Sequence, residues 1–551
     1  MKKLFITLLV LSLVSGSFLS AQLAPKDKGY QAITMEAIKG QLEFLSSDWM
    51  EGTATGEKGF YLAADYAASM FKVFGAVGAG DAGGGGGFPG GGRPQGNTAG
   101  PAVARTRSYF QNFNLIEGLP GGPASLTIKK GGREYAFEEN VDFTAGRAAL
   151  GGKFEAPIVF VGYGLVDKAN GIDDFAGVDV KGKIILRMTG FPGSTDVSSP
   201  MYKKLVGDNA RGAMEINRKK GEAITNLGVA GIIDITPNSN VSSRWGVSKF
   251  DNVMAPAERG ARSTSTSMRL ESKEVAVAPV TLTVTDRIIN LLLKDTGIDL
   301  AKIEKDGAAG VLKFKPVVMP GLSAAVTTSV NSRRINTRNV IAMIEGENPN
   351  EFVAVGAHMD HNGISNGKIW NGADDNASGT VGVMTLAKAF AASGVKPKRT
   401  ILFCAWCGEE KGLLGSEYFT QHPTIGKISD YKFYINFDMI ARDVATDTAK
   451  NMAGMTYTKA FPKLEEMSKA AITQNKINLV VRYSASDAPT GGSDFTAFTN
   501  NKIPVIAWMA AMHPDYHQPS DEVALVNWNK MLNIIKLAYF QLWEAANGEI
   551  K

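Results

Sequence analysis

A chain of 551 residues, 44% hydrophobic and 21% charged, is long enough for two or more packed domains and too apolar to be disordered. Its formal charge of +5 is spread without a long basic tract and makes no case for nucleic acid. Its two cysteines, Cys404 and Cys407, cannot by themselves make a structural zinc site.

In chain order, Lys2 and Lys3 precede an apolar run and small residues near Ser20 and Ala21. This pattern predicts a signal peptide over residues 1–21, cleaved before Gln22, and an exported protein, periplasmic or extracellular. No later stretch is long and apolar enough to span a bilayer, so no stable membrane insertion is expected after signal removal. Thr34 reads as an N-cap, followed by Met35, Ile38, Leu42 and Leu45 at helical spacing. Phe60, Ala64, Ala67, Phe71 and Phe74 predict a second helix, and residues 47–56 a loop between the two. Residues 78–105 are glycine-rich and read as a flexible surface loop, since they lack the lysine and spacing of a nucleotide-binding loop. From about residue 120 the texture is β-rich, with strands expected at 158–163, 183–188, 229–235 and 275–284, β-like texture over 310–330, helices at 219–228 and 286–295, and an irregular polar stretch at 237–270. Residues 120–332 therefore read as an inserted β-dominated domain.

Beyond residue 333 the pattern alternates. Strands are expected at 339–345, 352–357, 400–406, 433–437 and 503–508, and helices at 378–392, 412–420, 460–473 and 527–547. This predicts an α/β sheet covered on both faces, with the N-terminal helices of residues 22–119 packing onto it. Cys404 and Cys407 sit at a strand end rather than opening a helix, which favours buried thiols over a disulfide or a redox pair.

The five histidines all lie in this last region: His358, His361, His422, His513 and His517. His358 and Asp360 come off one expected strand, Glu409 and Glu410 off the next, and Asp438 off a third. Asp374 and Asp375 precede a helix, and Tyr516 and His517 follow the last strand. Each feature has a plain alternative. A Glu-Glu pair alone is a solvated turn, Asp374 and Asp375 alone are helix caps, and His422 is a helix-end residue. If the strand ends share one side of the sheet, however, these nitrogen and oxygen donors converge in a mixture that suits zinc.

Five segments in order, His358-Met-Asp360, Gly372-Ala-Asp-Asp-Asn-Ala-Ser-Gly379, Glu409-Glu-Lys-Gly-Leu-Leu-Gly-Ser416, Asn436-Phe-Asp438 and Tyr516-His-Gln-Pro-Ser-Asp521, resemble the site motifs of metallopeptidase family 28, the co-catalytic di-zinc aminopeptidases. Leu45-Ser-Ser-Asp48, Met50-Glu-Gly52 and Tyr109-Phe-Gln111 resemble the family's N-terminal region. Val161-Gly-Tyr-Gly164, Asp174-Phe-Ala-Gly177 and Val180-Lys-Gly-Lys183 resemble the protease-associated domain often inserted in it. Thr53 stands where the family pattern has arginine, and Phe495 where it often has histidine.

The resemblance implies an α/β fold with a zinc-exopeptidase-like mixed central sheet flanked by helices, an inserted protease-associated domain at 120–332 and a catalytic domain at 333–551. It implies two zinc ions, with Asp375 bridging, His358 and Asp438 completing one position, and Glu410 and His517 the other. Asp360 would orient His358 through its second ring nitrogen, Glu409 would be the general base, and Tyr516 would steady the oxyanion. His361 and His513 would be supporting or surface groups. The implied activity is removal of N-terminal residues from peptide substrates by a metal-bridging hydroxide. A carboxypeptidase of the glutamate carboxypeptidase type and a non-catalytic receptor-like protein are the alternatives; the first needs arginines, such as Arg442 or Arg482, in the pocket.

Overall fold

The computed structural model describes residues 23–82, 107–146, 152–207, 212–225, 227–236, 267–273, 279–365, 367–489 and 491–548. The expected signal peptide, the glycine-rich stretch from residue 83 to 105 and the polar stretch 237–266 lie outside the described residues. Among the described residues no helix is long and apolar enough to cross a membrane.

Two large sheets organise the chain. The first has 10 strands, in the order Ser267–Leu270, Phe110–Pro120, Val330–Ile344, Arg399–Trp406, Asn348–His358, Tyr431–Phe437, Val505–Met509, Met452–Thr458 and Val480–Ser486, with Val77–Gly78 also pairing with Val330–Ile344. Its four central strands, from Arg399–Trp406 to Val505–Met509, are parallel, with antiparallel partners on either side. The sheet is therefore mixed. Alternation along these strands sends side chains to opposite faces. Val353, Val355, Ile401, Phe403, Phe433 and Ile435 join one core, while Phe352, Ala354, Leu402, Cys404, Trp406 and Tyr434 join another. Burial on both faces is why these strands read as unbroken apolar runs.

The first core is covered by the helices Met35–Leu45, Lys58–Phe74, Gly379–Ser393 and Trp528–Asn547, and the second by Leu414–Gln421 and Phe495–Asn500. The Thr34 hydroxyl caps its helix by accepting from Ala37 N at 3.4 Å. Both cysteines are buried free thiols. Gly356 shows how tightly the second face is filled. A Cβ there would lie 2.4 Å from Trp406 Nε1 and 2.6 Å from Tyr434 Oη, two atoms that hydrogen-bond each other at 2.8 Å.

The second sheet has 8 strands, ordered Arg133–Glu138, Ser125–Lys130, Val317–Thr328, Gly152–Phe160, Ile184–Met188, Gly231–Ile235, Val280–Val284 and Phe143–Ala145, around its own core. The expected inserted β-dominated domain over 120–332 does not lie wholly in the second sheet. Ser267–Leu270, which falls inside that range and in a stretch read as irregular, pairs antiparallel with Phe110–Pro120 of the first sheet. Backbone pairing to a distant strand overrides a polar local sequence. Several boundaries also move, three of them near helices. The helix expected at 219–228 is Gly212–Thr225. The helix expected from 412 begins at Leu414, because Leu413 adopts a left-handed φ of 63°. The helix expected from Ser378 begins at Gly379, after an irregular turn in which Asp375 and Asn376 leave helical geometry.

Candidate metal centre

Parallel strands carry their carboxyl ends to one edge of the sheet, where α/β folds place their sites. His358 ends Asn348–His358, and His358 is in register with Trp406 of the neighbouring strand. Glu409 and Glu410 follow three and four residues after Trp406, and Asp438 directly follows Tyr431–Phe437. Asp375 comes from the turn Ala373–Ser378, and His517 from the loop after Val505–Met509, at a left-handed φ of 52°. Non-glycine residues rarely hold that conformation outside functional or tightly constrained positions.

These side chains converge in two groups, His358 with Asp375 and Asp438, and His361 with Asp375, Glu410 and His517, each set of donor atoms lying within 4.8 Å. Asp375 faces both. Its Oδ1 is 3.4 Å from His358 Nε2, and its Oδ2 is 3.2 Å from His517 Nε2. Asp438 Oδ1 lies 3.7 Å from His358 Nε2, and Glu410 Oε2 lies 3.0 Å from His517 Nε2. Donors on one tetrahedral zinc with bonds of about 2.0–2.1 Å stand roughly 3.3 Å apart. The observed separations bracket that value. Asp375 Oδ2 is buried and makes no well-formed hydrogen bond, as fits an atom reserved for an ion.

Electrostatics agrees with geometry. Burial opposes protonation of His358, but Glu409, Asp438 and Asp375 outweigh it and raise its pKa well above the usual imidazole value. Burial also works against the Glu410 carboxylate, yet His517 and His361 hold it well below the ordinary range. Glu409 goes the other way. Burial pushes it well up, and Asp438 and Glu410 add to the shift against the pull of His358. Two adjacent carboxyls are thus driven apart, one kept ionised and one readily protonated, the pattern of groups with different tasks.

Asp360 is placed differently from its expected role. His358 Nδ1 meets the Asp360 main-chain oxygen at 3.0 Å rather than its carboxylate. The carboxylate accepts from Glu409 N at 3.1 Å and from the Thr55 hydroxyl at 2.8 Å. The residue still holds the His358 ring, but through its carbonyl, and its side chain fixes the backbone of the Glu409 turn instead. Tyr516 lines the same cavity as His358, Asp375, Glu409 and Asp438, together with Met439, Gly492, Met509 and Met512. Burial first, and then the surrounding carboxylates, raise the Tyr516 pKa well above its usual value, so the phenol keeps its proton to donate.

Sequence reading missed the supporting roles of Thr55, Asp521 and Arg442, and left His513 as a supporting or surface group. Asp521 Oδ2 accepts from both Asp374 N and Asp375 N at 3.0 Å, so it grips the turn that presents Asp375. Arg442 is bonded to Asp515 and Asp521. His513 is buried, with Nε2 3.3 Å from Asp374 Oδ2. His422 is the C-cap of Leu414–Gln421, at the helix end where it was expected. The Asp521 contact had a visible signal, its place in the Tyr516–Asp521 motif. Thr55 had none.

Residues 339–540 match the sequence profile of Peptidase family M28. The chain is 33% identical over 190 residues to a probable leucine aminopeptidase 2 of Aspergillus oryzae, covering 33% of this chain and 36% of that protein. It is 34% identical over 174 residues to a probable leucine aminopeptidase 2 of Aspergillus fumigatus, covering 30% and 32%. The chain thus matches about a third of the length of these curated relatives. Across nearly the whole chain the fold is similar to that of an aminopeptidase from Aneurinibacillus sp. strain AM-1, with a TM-score of 0.55, 18% identity, and coverage of 96% of this chain and 97% of that one. Every ligand candidate described above lies within the segment, residues 339–540, that matches Peptidase family M28.

Proposed function

We propose that this protein is an exported di-zinc aminopeptidase. The observation that carries the reading is the shared carboxylate of Asp375, one oxygen toward His358 and Asp438 and the other toward His517 and Glu410, with Glu409 beside them. His358, Asp375 and Asp438 would hold one zinc, and Asp375, Glu410 and His517 the other. Bound zinc supplies a water of lowered pKa and polarises the scissile carbonyl. Glu409 accepts the proton of the attacking water and delivers it to the leaving nitrogen. The protonated Tyr516 phenol donates to the developing oxyanion.

The choice of terminus rests on charge. Two divalent ions would offset the ionised carboxylates of this site, and among the described residues the cavity lining contains neither lysine nor arginine. Among the described residues, no lysine or arginine lines it to bind a substrate carboxylate. Arg442 is engaged with Asp515 and Asp521, and Arg482 lies on the edge strand Val480–Ser486. This removes support from the carboxypeptidase alternative. A complete donor set removes it from the receptor-like one.

The test is a panel of aminoacyl anilides, their N-acetylated forms and C-terminally varied dipeptides, with and without a chelator. Hydrolysis that requires a free amine and is abolished by the chelator is expected. Chelator-insensitive turnover, or equal cleavage of acetylated substrates, would sink the reading. Export is tested by the mature N-terminus: a secreted form beginning at Gln22 is expected, and an intact Met1 contradicts it.

A further inference from the structure

We propose that His361 is the positioning residue of the second metal position, holding Glu410 as a one-oxygen ligand and so setting how tightly that position retains its ion; this rests on the two-zinc reading above. His361 is buried, and its Nδ1 lies 2.7 Å from Glu410 Oε1. Asn362 Nδ2 donates to the same oxygen at 3.3 Å. A carboxylate oxygen can only accept, so Nδ1 carries the proton and Oε1 is occupied by two donors. The other oxygen, Oε2, is the one that faces His517 Nε2 at 3.0 Å. Glu410 is thereby divided into a held oxygen and a free one.

The distances at Nδ1 separate this role from that of an Nδ1 ligand. Donors sharing a tetrahedral zinc stand about 3.3 Å apart. The Nδ1 to Oε1 contact of 2.7 Å is a hydrogen-bond length, and His361 Nδ1 is 3.9 Å from Asp375 Oδ2. Hydrogen bonds to ligating carboxylates are the kind of support that orients a metal ligand.

His361 is itself fixed from two sides. Its N–H donates to Thr53 O at 3.1 Å, and Ala54 forms a parallel bridge with it. The run Glu51, Gly52 and Thr53, with φ of 51°, 66° and 47°, is left-handed throughout and turns that carbonyl inward. On the other side the ring lies against Gly372, where a Cβ would stand 2.7 Å from His361 Cγ and Cδ2. A segment more than 300 positions earlier in the sequence thus braces the residue that braces Glu410.

The test compares zinc retention in the wild type, H361A, H361N and H361Q, each loaded with zinc and dialysed against graded zinc-buffering chelator. Asparagine places its amide nitrogen where Nδ1 stands, and glutamine places it one atom farther out. The wild type is expected to hold two zinc ions. H361A should lose one of them at about 10- to 100-fold higher free zinc, with the other unchanged. H361N should recover most of the retention, and H361Q little. Wild-type retention of both ions in H361A, or equal behaviour of H361N and H361Q, would overturn the assignment. If H361A does not fold, the Asn and Gln pair decides. A wild type that binds fewer than two zinc ions overturns the two-zinc reading itself, before any variant is compared.

Discussion

The two sheets both bury charged side chains, and they treat them in opposite ways. In the eight-stranded sheet the charged side chains of Lys220, Arg187 and Asp174 are matched by protein. Lys220 is fully buried and donates to Met188 O at 3.1 Å and Gly190 O at 2.6 Å. Arg187 grips Asp234 through two nitrogens, at 2.6 and 3.2 Å. Asp174 accepts from Tyr163 N at 3.1 Å and Leu165 N at 3.0 Å. At the edge of the ten-stranded sheet, Asp375 Oδ2, which faces the second donor group, is buried without a well-formed hydrogen bond. Buried polar atoms are nearly always paired. A charge that is buried and paired holds a fold together; one that is buried and unpaired is shaped for something the protein must bind.

The strongest way to break this contrast is to remove the shared carboxylate. D375N keeps the shape and loses the charge. Both metal positions should weaken, and turnover should fall on the order of 1000-fold or more, since Lewis-acid stabilisation is worth several kcal/mol. Zinc per chain and kcat measured together check it, and a variant with two tightly held zinc ions contradicts it.

A smaller effect is expected one bond farther out. T55V removes the hydroxyl that donates to Asp360 Oδ2 and leaves that oxygen buried without its donor. The cost is about 1–3 kcal/mol of stability, and kcat should drop about tenfold, because Asp360 also holds Glu409 N. Thermal unfolding and steady-state kinetics measure the two parts. Unchanged kcat with unchanged stability would show that the Thr55 contact carries nothing.

The smallest effect on activity, none, is expected in the other sheet. Burial lowers the Lys220 pKa from 10.5 to about 7. Between those values the folded protein holds a neutral amine while the unfolded chain holds a proton. The unfolded state then binds more protons, so stability rises with pH across this window, by up to about 1.4 kcal/mol per unit. K220M should abolish that increment and leave peptide hydrolysis unchanged. An identical pH slope of stability in variant and wild type would contradict the assignment.

Much of the candidate site was legible because apolar strands end where the clustered donor side chains begin. His358, Glu409 and Asp438 are each marked by the run that precedes them, and parallel neighbours bring those ends together. The supports were not legible, because they depend on contacts that leave no local pattern. Thr55 meets Asp360 across 305 positions of sequence. Glu51 and Thr53 take left-handed φ without being glycine, so no turn signal announces them. His361 shared a motif with His358, yet only a distance separates a ligand from a residue that steadies one. The strand Ser267–Leu270 was invisible for the same reason, since its pairing with Phe110–Pro120 is long-range.

The most direct test of the central claim is Glu409→Gln, assayed for zinc content and turnover in the same preparation. Glu409 is the one carboxyl of the group assigned to move a proton rather than hold an ion. Two zinc ions per chain with kcat reduced about 100- to 10,000-fold is the predicted result. Two zinc ions with turnover within a few-fold of wild type would contradict it.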